Sequence, residues 1–168
     1  MTDTATEQTF PPRMIEPMPV HVESVWRVTD VELDDIAWVL PALQKQWPRL
    51  DEGQCRNWFK AAIADRYTMF VRTKNVVGMA QFDANVKEPW PVVREIFIRA
   101  KEGYEPSEPL MIHRRFAEWA IGISAKEYQF KTDSDRIGNI NEIKAMLRKL
   151  PKVLGIQSGT YEVATLRE

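Results

Sequence analysis

The chain has 168 residues, of which 44 % are hydrophobic and six are tryptophan, so it can bury the core of a single domain. Its net charge of −1 gives no bulk attraction to nucleic acid or to an anionic membrane, and no apolar run approaches the length of a membrane span. The one cysteine, Cys55, excludes an internal disulfide and a zinc site built from cysteines. Residues 1–18 lack the apolar core of a signal peptide, so we expect a cytoplasmic protein without a metal site.

The N-terminal residues differ in composition from the rest of the chain. Residues 1–22 show no hydrophobic periodicity and contain four prolines, which are Pro11, Pro12, Pro17 and Pro19. Such a segment cannot bury enough apolar surface to fold by itself. We therefore predict an extended arm over residues 1–22, either free in solution or lying on a partner protein, and one domain over residues 23–168.

The domain is predicted to begin with a strand over residues 23–29 and then two helices. The first helix carries an apolar stripe at helical spacing, with Asp30 or Asp34 as its N-cap. Pro41 predicts a kink in this helix or a late start. The second helix is predicted over Glu52–Ala64. The apolar stripe of the first helix consists of Ile36, Val39, Leu40, Leu43 and Trp47.

Three strands are predicted next. The first two, over residues 67–73 and 76–82, are joined by a tight turn in which Asn75 can adopt a positive φ. The third, over residues 91–100, is long and mostly apolar, which is typical of a central strand buried on both faces.

The second half of the chain alternates helices and strands. We predict a long helix over residues 110–127, with Ser107 as its N-cap, then a strand over 128–132 and a helix over 141–150. The chain then closes with two strands, over residues 153–156 and 160–164. The resulting order is β-α-α-β-β-β-α-β-α-β-β, which predicts an α/β fold with a mixed central sheet.

Three short segments add to this order. VVGMAQF (76–82) places a glycine after two aliphatic residues, REIFIRA (94–100) places a glutamate on the central strand, and the last helix begins near Asn141 and carries Lys149. In order and in these segments, residues 24–164 resemble the GNAT acyltransferase superfamily, whose members transfer an acyl group from acyl-coenzyme A to an amine. The resemblance implies a GNAT-like mixed sheet.

The same resemblance implies a set of functional residues. Glu95 would be the general base that accepts the proton of the amine, since a carboxylate among apolar neighbours can have a raised pKa. Acetyl-coenzyme A or coenzyme A would be the cofactor. The residues that would bind it are Ile98, Arg99, Gly103, Tyr104, Ser107 and Asn141.

The coenzyme loop departs from the family pattern. In the family this loop reads Gln/Arg-x-x-Gly-x-Gly/Ala, and its backbone N–H groups bind the pyrophosphate at the start of a helix. Here the three positions align with Tyr104, Ser107 and Pro109, and proline has no N–H. The family's leaving-group tyrosine aligns with Leu147, which cannot donate a proton. Three acidic residues would also repel a pyrophosphate, and they are Glu102, Glu105 and Glu108.

Two functions therefore compete. The first is a protein that has the GNAT fold, an eroded coenzyme loop and no cofactor, similar to the head-assembly and internal virion proteins of short-tailed phages. The second is an active acyl-coenzyme A N-acetyltransferase. The first is favoured because extended arms commonly gain order on a neighbouring protein. It implies protein partners that bind the arm and Trp90, a bacterial or phage-infected host cell or the virion as location, and no nucleic-acid or membrane partner. The oligomeric state is left open.

Other residues have alternative interpretations. Arg114 and Arg115, beside His113, could reach a phosphate near the helix start, but a solvated helix face is the favoured interpretation of all three residues. Cys55 is expected to be a core residue rather than a nucleophile. Trp90, between two prolines, is expected to be exposed on a loop.

Overall fold

The structure is a computed structural model that describes residues 25–83, 90–131, 137–159 and 161–167. The predicted arm over residues 1–22 lies outside the described residues. The strands are β1 (Trp26–Arg27), β2 (Thr68–Arg72), β3 (Val76–Asp83), β4 (Val92–Ala100), β5 (Glu127–Lys131), β6 (Val153–Ser158) and β7 (Tyr161–Leu166). The helices are α1 (Leu40–Gln46), α2 (Glu52–Ala64), α3 (Ser107–Gly122) and α4 (Ile140–Arg148).

The strands form one mixed sheet in the order β1-β2-β3-β4-β5-β7-β6. Neighbouring strands are antiparallel except β4 and β5, which are parallel. The mixed α/β architecture and the order of elements predicted from the sequence are confirmed, and so is the central position of β4. This position follows from the composition of β4, whose side chains are buried against helices on both faces of the sheet.

Helices cover both faces of the sheet. On one face, α1 and α2 pack on β2, β3 and β4 through a core that includes Phe59, Phe70 and Phe97. On the other face, α3 and α4 pack on the sheet around Phe116 and Tyr128. The approach of α3 is close. A Cβ atom at Gly78 of β3 would lie 2.7 Å from Cγ2 of Ile112, so only glycine fits there.

The segment between β1 and α1 is less regular than predicted. Two 3₁₀ turns, Asp30–Glu32 and Ala37–Val39, precede α1, and the late start that Pro41 indicated is confirmed. The predicted caps are wrong. Thr29 and Glu32 form the capping box of the first turn instead, and Asp34 pairs with Arg56 at 2.9 Å.

The helix α2 has the predicted bounds, because Asp51 and Gln54 form a capping box at its start. The turn between β2 and β3 differs from the prediction. Among the described non-glycine residues, Ser124 alone has a positive φ, so Asn75 does not adopt one. Its backbone N–H donates to the Glu108 carboxylate, and this long-range contact replaces the expected local turn geometry.

The helix α3 starts and ends earlier than predicted. Its N-cap is Pro106 and Ser107 is its first residue, so the prediction of Ser107 as N-cap is wrong. The first turn tolerates Pro109 because the N–H groups there have no partner within the helix. The helix ends at Gly122 because Ser124 then adopts φ 60°, after which the chain enters β5. No helix formed by the described residues is long and apolar enough to cross a membrane.

Candidate functional site

The strands β4 and β5 part after three residue pairs. Val92, Val93 and Arg94 pair with Glu127, Tyr128 and Gln129 respectively. The register between β3 and β4 then shifts, because Met79 pairs with Phe97 while Ala80 pairs with Glu95, which leaves Ile96 as an extra residue in β4. Beyond this bulge β4 and β5 no longer pair, and we call the gap between them the β4–β5 wedge.

Glu95 lies at the narrow end of the β4–β5 wedge. Its Oε1 accepts a hydrogen bond from the backbone N–H of Lys131 at 3.0 Å, a group that β4 no longer pairs with once the strands have parted. The residue is only 4 % exposed. Glu95 therefore completes the sheet where the backbone cannot, and its role as a general base stays a prediction.

Two further polar side chains lie beneath Glu95. The Tyr128 hydroxyl is 2.8 Å from Nδ1 of His113, and both residues are buried. Burial raises the pKa of Tyr128 well above its ordinary value, and the negative charge of Glu95 raises it further. The phenol therefore stays protonated and shares a hydrogen bond with the imidazole. Glu95, Tyr128 and His113 form a buried polar group between the sheet and α3.

The start of α3 offers few hydrogen-bond donors. Pro106 and Pro109 have no N–H, and the N–H of Glu108 donates to the carbonyl of Glu105 at 2.9 Å. Of the four residues from Pro106 to Pro109, two therefore bring no N–H and a third uses its N–H within the loop. A pyrophosphate cradle needs several such groups directed at the ligand. This helix start therefore does not fit a coenzyme pyrophosphate.

The Glu108 carboxylate is itself bound by donors from three residues in two segments. Oε1 accepts from Thr73 Oγ1 at 2.5 Å and from the Asn75 N–H at 2.9 Å, while Oε2 accepts from the Glu105 N–H at 2.7 Å and from Asn75 Nδ2 at 3.3 Å. Burial disfavours the charge of Glu108, but these hydrogen bonds outweigh burial and lower its pKa. We call this cluster the Glu108 junction. It ties the β2–β3 turn to the loop before α3.

Ile98 and Arg99, the two predicted coenzyme-binding residues on β4, lie in different surroundings. Ile98 is 2 % exposed and packs in the core beneath α3. Arg99 donates to the carbonyl of Ile98 at 2.9 Å and to the side chain of Gln46 on α1, which lies on the opposite face of the sheet. The two neighbouring residues therefore serve different layers of the fold.

The remaining predicted coenzyme residues lie around the starts of two helices. Gly103 adopts φ +89° in the loop before α3, Tyr104 is 36 % exposed, and Ser107 opens the helix. Asn141 is exposed in the first turn of α4, where its backbone N–H donates to Oδ1 of Asn139. Gly138 brings the two starts together, because a Cβ atom there would lie 3.3 Å from Cβ of Pro109. Pro109 and the loop before α4 thus occupy the junction of the two helix starts.

The burial of His113 was not predicted from the sequence. The interpretation as a solvated helix face is correct for Arg114, which pairs with Glu118 at 3.1 Å, and for the exposed Arg115. It is wrong for His113, which is 1 % exposed. The signal was present in the spacing, since His113 recurs with Phe116, Ala117 and Ala120 at i+3, i+4 and i+7.

Two single residues behave as expected. Cys55 is fully buried, and burial raises the pKa of its thiol, so the interpretation as a core residue is confirmed. Trp90 is 37 % exposed. Its contact with a partner stays a prediction. The described residues include no group of three His, Cys, Asp or Glu side chains arranged to hold a metal ion.

No protein-family model and no curated protein matches the sequence. Solved structures do match. One is the aminoglycoside 6'-N-acetyltransferase AAC(6')-IG from Acinetobacter haemolyticus, with a TM-score of 0.53 and 18 % identity over 80 % of this chain and 94 % of that chain. Another is AAC(6')-Ih from Acinetobacter baumannii, with a TM-score of 0.53 and 15 % identity over 86 % of this chain and 96 % of that chain. A third, a "probable acetyltransferase", has a TM-score of 0.57 and 10 % identity over 76 % and 87 % of the two chains.

The chain has the GNAT fold. The fold implied by the sequence resemblance is therefore confirmed. At identities this low, the structural similarity of this chain to acetyltransferases shows a shared fold and does not show a shared activity. The narrower resemblance to phage head-assembly and internal virion proteins stays a prediction.

Proposed function

We propose that this chain is a protein-interaction component built on the GNAT fold, that it does not transfer acyl groups, and that it acts in the assembly of a phage head. One observation carries the proposal, namely the start of α3. Two of the four residues from the N-cap Pro106 to Pro109 are prolines, and the nearby Glu108 carboxylate already takes the donors of the adjoining loop and turn.

The surroundings of the α3 start are unfavourable for binding a pyrophosphate. A diphosphate carries at least two negative charges and needs converging N–H groups or cations at close range. Here Glu102 and Glu105 are exposed in the same loop, and Glu108 holds a negative charge because its pKa is lowered. The ammonium of Lys101, which immediately precedes Glu102, lies 6.0 Å from the centroid of the Trp38 ring, and Arg99 is committed to Gln46 and to its own strand. Like charge and missing donors act together against coenzyme binding.

The interaction role draws on other parts of the chain. The proline-rich arm over residues 1–22 and the exposed Trp90 are candidates for contact with a partner protein. The phage setting rests on the sequence resemblance. It is tested by searching for this chain in purified phage heads and in their assembly intermediates by mass spectrometry, where its absence from both would contradict the setting.

Calorimetric titration of the full-length protein with acetyl-coenzyme A tests the absence of acyl transfer. We expect no heat of binding up to about millimolar ligand, which corresponds to less than about 4 kcal/mol of binding free energy. An active acetyltransferase of the same fold, titrated in the same buffer, is the positive control. Micromolar binding by this chain would overturn the proposal.

Acyl transfer remains the second candidate, and the β4–β5 wedge with the buried Glu95 favours it. In that case Glu95→Gln would keep coenzyme binding and lose turnover of an amine acceptor, because glutamine cannot accept the proton. Glu118→Gln on the exposed face of α3 is a matched control that should change neither property. Equal turnover by Glu95→Gln and the wild type would exclude Glu95 as the base.

A further inference from the structure

The sheet ends in an unprotected edge at β6. Among the described residues β6 pairs with β7 alone, so its outer edge is open. Its six residues, VLGIQS, include no charge and no proline, although natural edge strands commonly carry such residues to prevent pairing with another chain. Leu154 is 58 % exposed on this strand. The strand is therefore suited to accept one more strand.

Basic residues gather at one end of this edge, at the start of β6. Arg148 and Lys149 end α4, Lys152 immediately precedes β6, and Arg167 follows β7, and all four are exposed. Arg167 lies beside Lys152, since its backbone N–H donates to the Lys152 carbonyl at 2.7 Å. We call β6 together with these four residues the basic edge. A strand that binds there should carry negative charge.

The chain itself contains such a segment. Residues 1–24 hold four acidic residues and one arginine. Their longest stretch without proline is residues 1–10, and within it TDTATEQTF, residues 2–10, contains four threonines and one phenylalanine, which favour an extended strand. In a strand, Asp3 and Glu7 would share a face and lie about 13 Å apart. Pro11 and Pro12 would end the strand.

We propose that residues 2–10 of one copy bind as an added strand along the basic edge of a second copy. This inference rests on the proposed interaction role and adds to it by identifying the partner as a second copy of this chain. Backbone pairing with β6 supplies the affinity, and Asp3 and Glu7 facing the four basic side chains set the orientation.

The position of the two sheet edges favours exchange between copies. The described chain begins next to β1, and β6 lies at the opposite edge, six strand spacings or about 29 Å away. A segment that bound its own β6 would have to cross a whole face of its own sheet. Residues 11–24 can span up to about 46 Å and so can reach a neighbouring copy directly. Because each copy gives a strand and receives one, the copies form a dimer or a ring where the contact closes on itself and an open chain of copies where it does not.

Charge reversal in two separate variants tests the proposal. One variant is Asp3→Lys with Glu7→Lys, and the other is Lys152→Glu with Arg167→Glu. Light scattering coupled to size exclusion gives the molar mass against concentration at low salt. We expect the wild type to associate and each variant to run nearer the 19.5 kDa monomer, with an apparent Kd raised about tenfold or more. Mixing the two variants should restore association, since the reversed segment then meets a reversed edge.

Matched controls separate association from folding. Lys45→Glu with Lys60→Glu makes the same change of charge on exposed positions of α1 and α2 and should leave association unchanged. Circular dichroism of every variant checks that the fold is kept. A monomeric wild type at all concentrations, or failure of the mixed variants to associate, would overturn the exchange. Coenzyme titration tests the proposed function separately from the exchange. A protein that bound acetyl-coenzyme A and also exchanged segments would overturn the proposed function and leave this inference standing.

Discussion

Two buried carboxylates mark the two ends of the candidate site, and they are held in different ways. Glu108 is surrounded by neutral donors from the β2–β3 turn and from its own loop, which lower its pKa. Glu95 accepts a backbone N–H of β5 and lies close to Tyr128, whose pKa its charge helps to raise. Both carboxylates satisfy backbone groups at places where the sheet or a helix leaves them without a partner. The burial of each glutamate is explained by the backbone groups that it accepts from, so burial alone does not identify a catalytic residue.

Truncation of Glu108 should have the largest effect. Glu108→Ala leaves the Thr73 hydroxyl and the N–H groups of Asn75 and Glu105 without their acceptor, so we expect a loss of about 3 kcal/mol in the free energy of unfolding. Urea denaturation measures it. The matched control is Glu105→Ala, which removes an exposed carboxylate from the same loop and should change stability by less than about 0.5 kcal/mol. Equal losses in both variants would contradict the Glu108 junction.

Truncation of Glu95 should cost somewhat less. Glu95→Ala leaves the Lys131 N–H without its acceptor and removes a charge near Tyr128, and we expect a loss of about 2 kcal/mol. Glu95→Gln keeps an acceptor oxygen and should recover part of this. Amide hydrogen exchange adds a local test, because the Lys131 N–H should exchange faster in Glu95→Ala. Unchanged protection of that group would show that Glu95 does not complete the sheet.

The hydrogen bonds to Glu108 should also appear in the pH dependence of stability. The pKa of Glu108 is lowered in the folded state, so its contribution is fully present above the pKa of the unfolded chain and is lost as the pH falls through the folded pKa. The stability difference between the wild type and Glu108→Gln should therefore shrink by about 1 kcal/mol between about pH 5 and pH 3. Denaturation at a series of pH values measures it. A difference that does not change over this range would contradict the lowered pKa.

Removal of the Tyr128 hydroxyl should have the smallest effect. Tyr128→Phe keeps the packing against Phe116 and Phe130 and deletes the hydrogen bond to His113, so we expect a loss of about 1 kcal/mol. Ultraviolet absorbance provides a second test. Because the pKa of Tyr128 is raised well above its ordinary value, the wild type and Tyr128→Phe should show the same alkaline titration before they unfold. An additional titrating tyrosine in the folded wild type would contradict this.

Most of the fold could be predicted from the sequence, because it depends on periodicity and local signals. The apolar run of β4 indicated a central strand, and the predicted bounds of α2 are correct because a local capping box of Asp51 and Gln54 sets its start. The errors lie where a distant contact outweighs a local preference. Asn75 keeps a negative φ because Glu108, 33 residues away, accepts its N–H. Ser107 lost the capping position because Pro106 fixes its own φ one residue earlier.

The candidate site was only partly predictable. The sequence determined that Pro109 brings no N–H to the start of α3 and that three glutamates surround it, since these are chemical properties of the residues themselves. Only the tertiary structure decided that Glu108 is an acceptor inside the fold rather than a free surface charge, and that Glu95 lies beside Tyr128 and His113. The physical reason is that burial and hydrogen-bond partners are set by which segments meet across the sheet. Residues far apart in sequence supply those partners, and no local pattern encodes them.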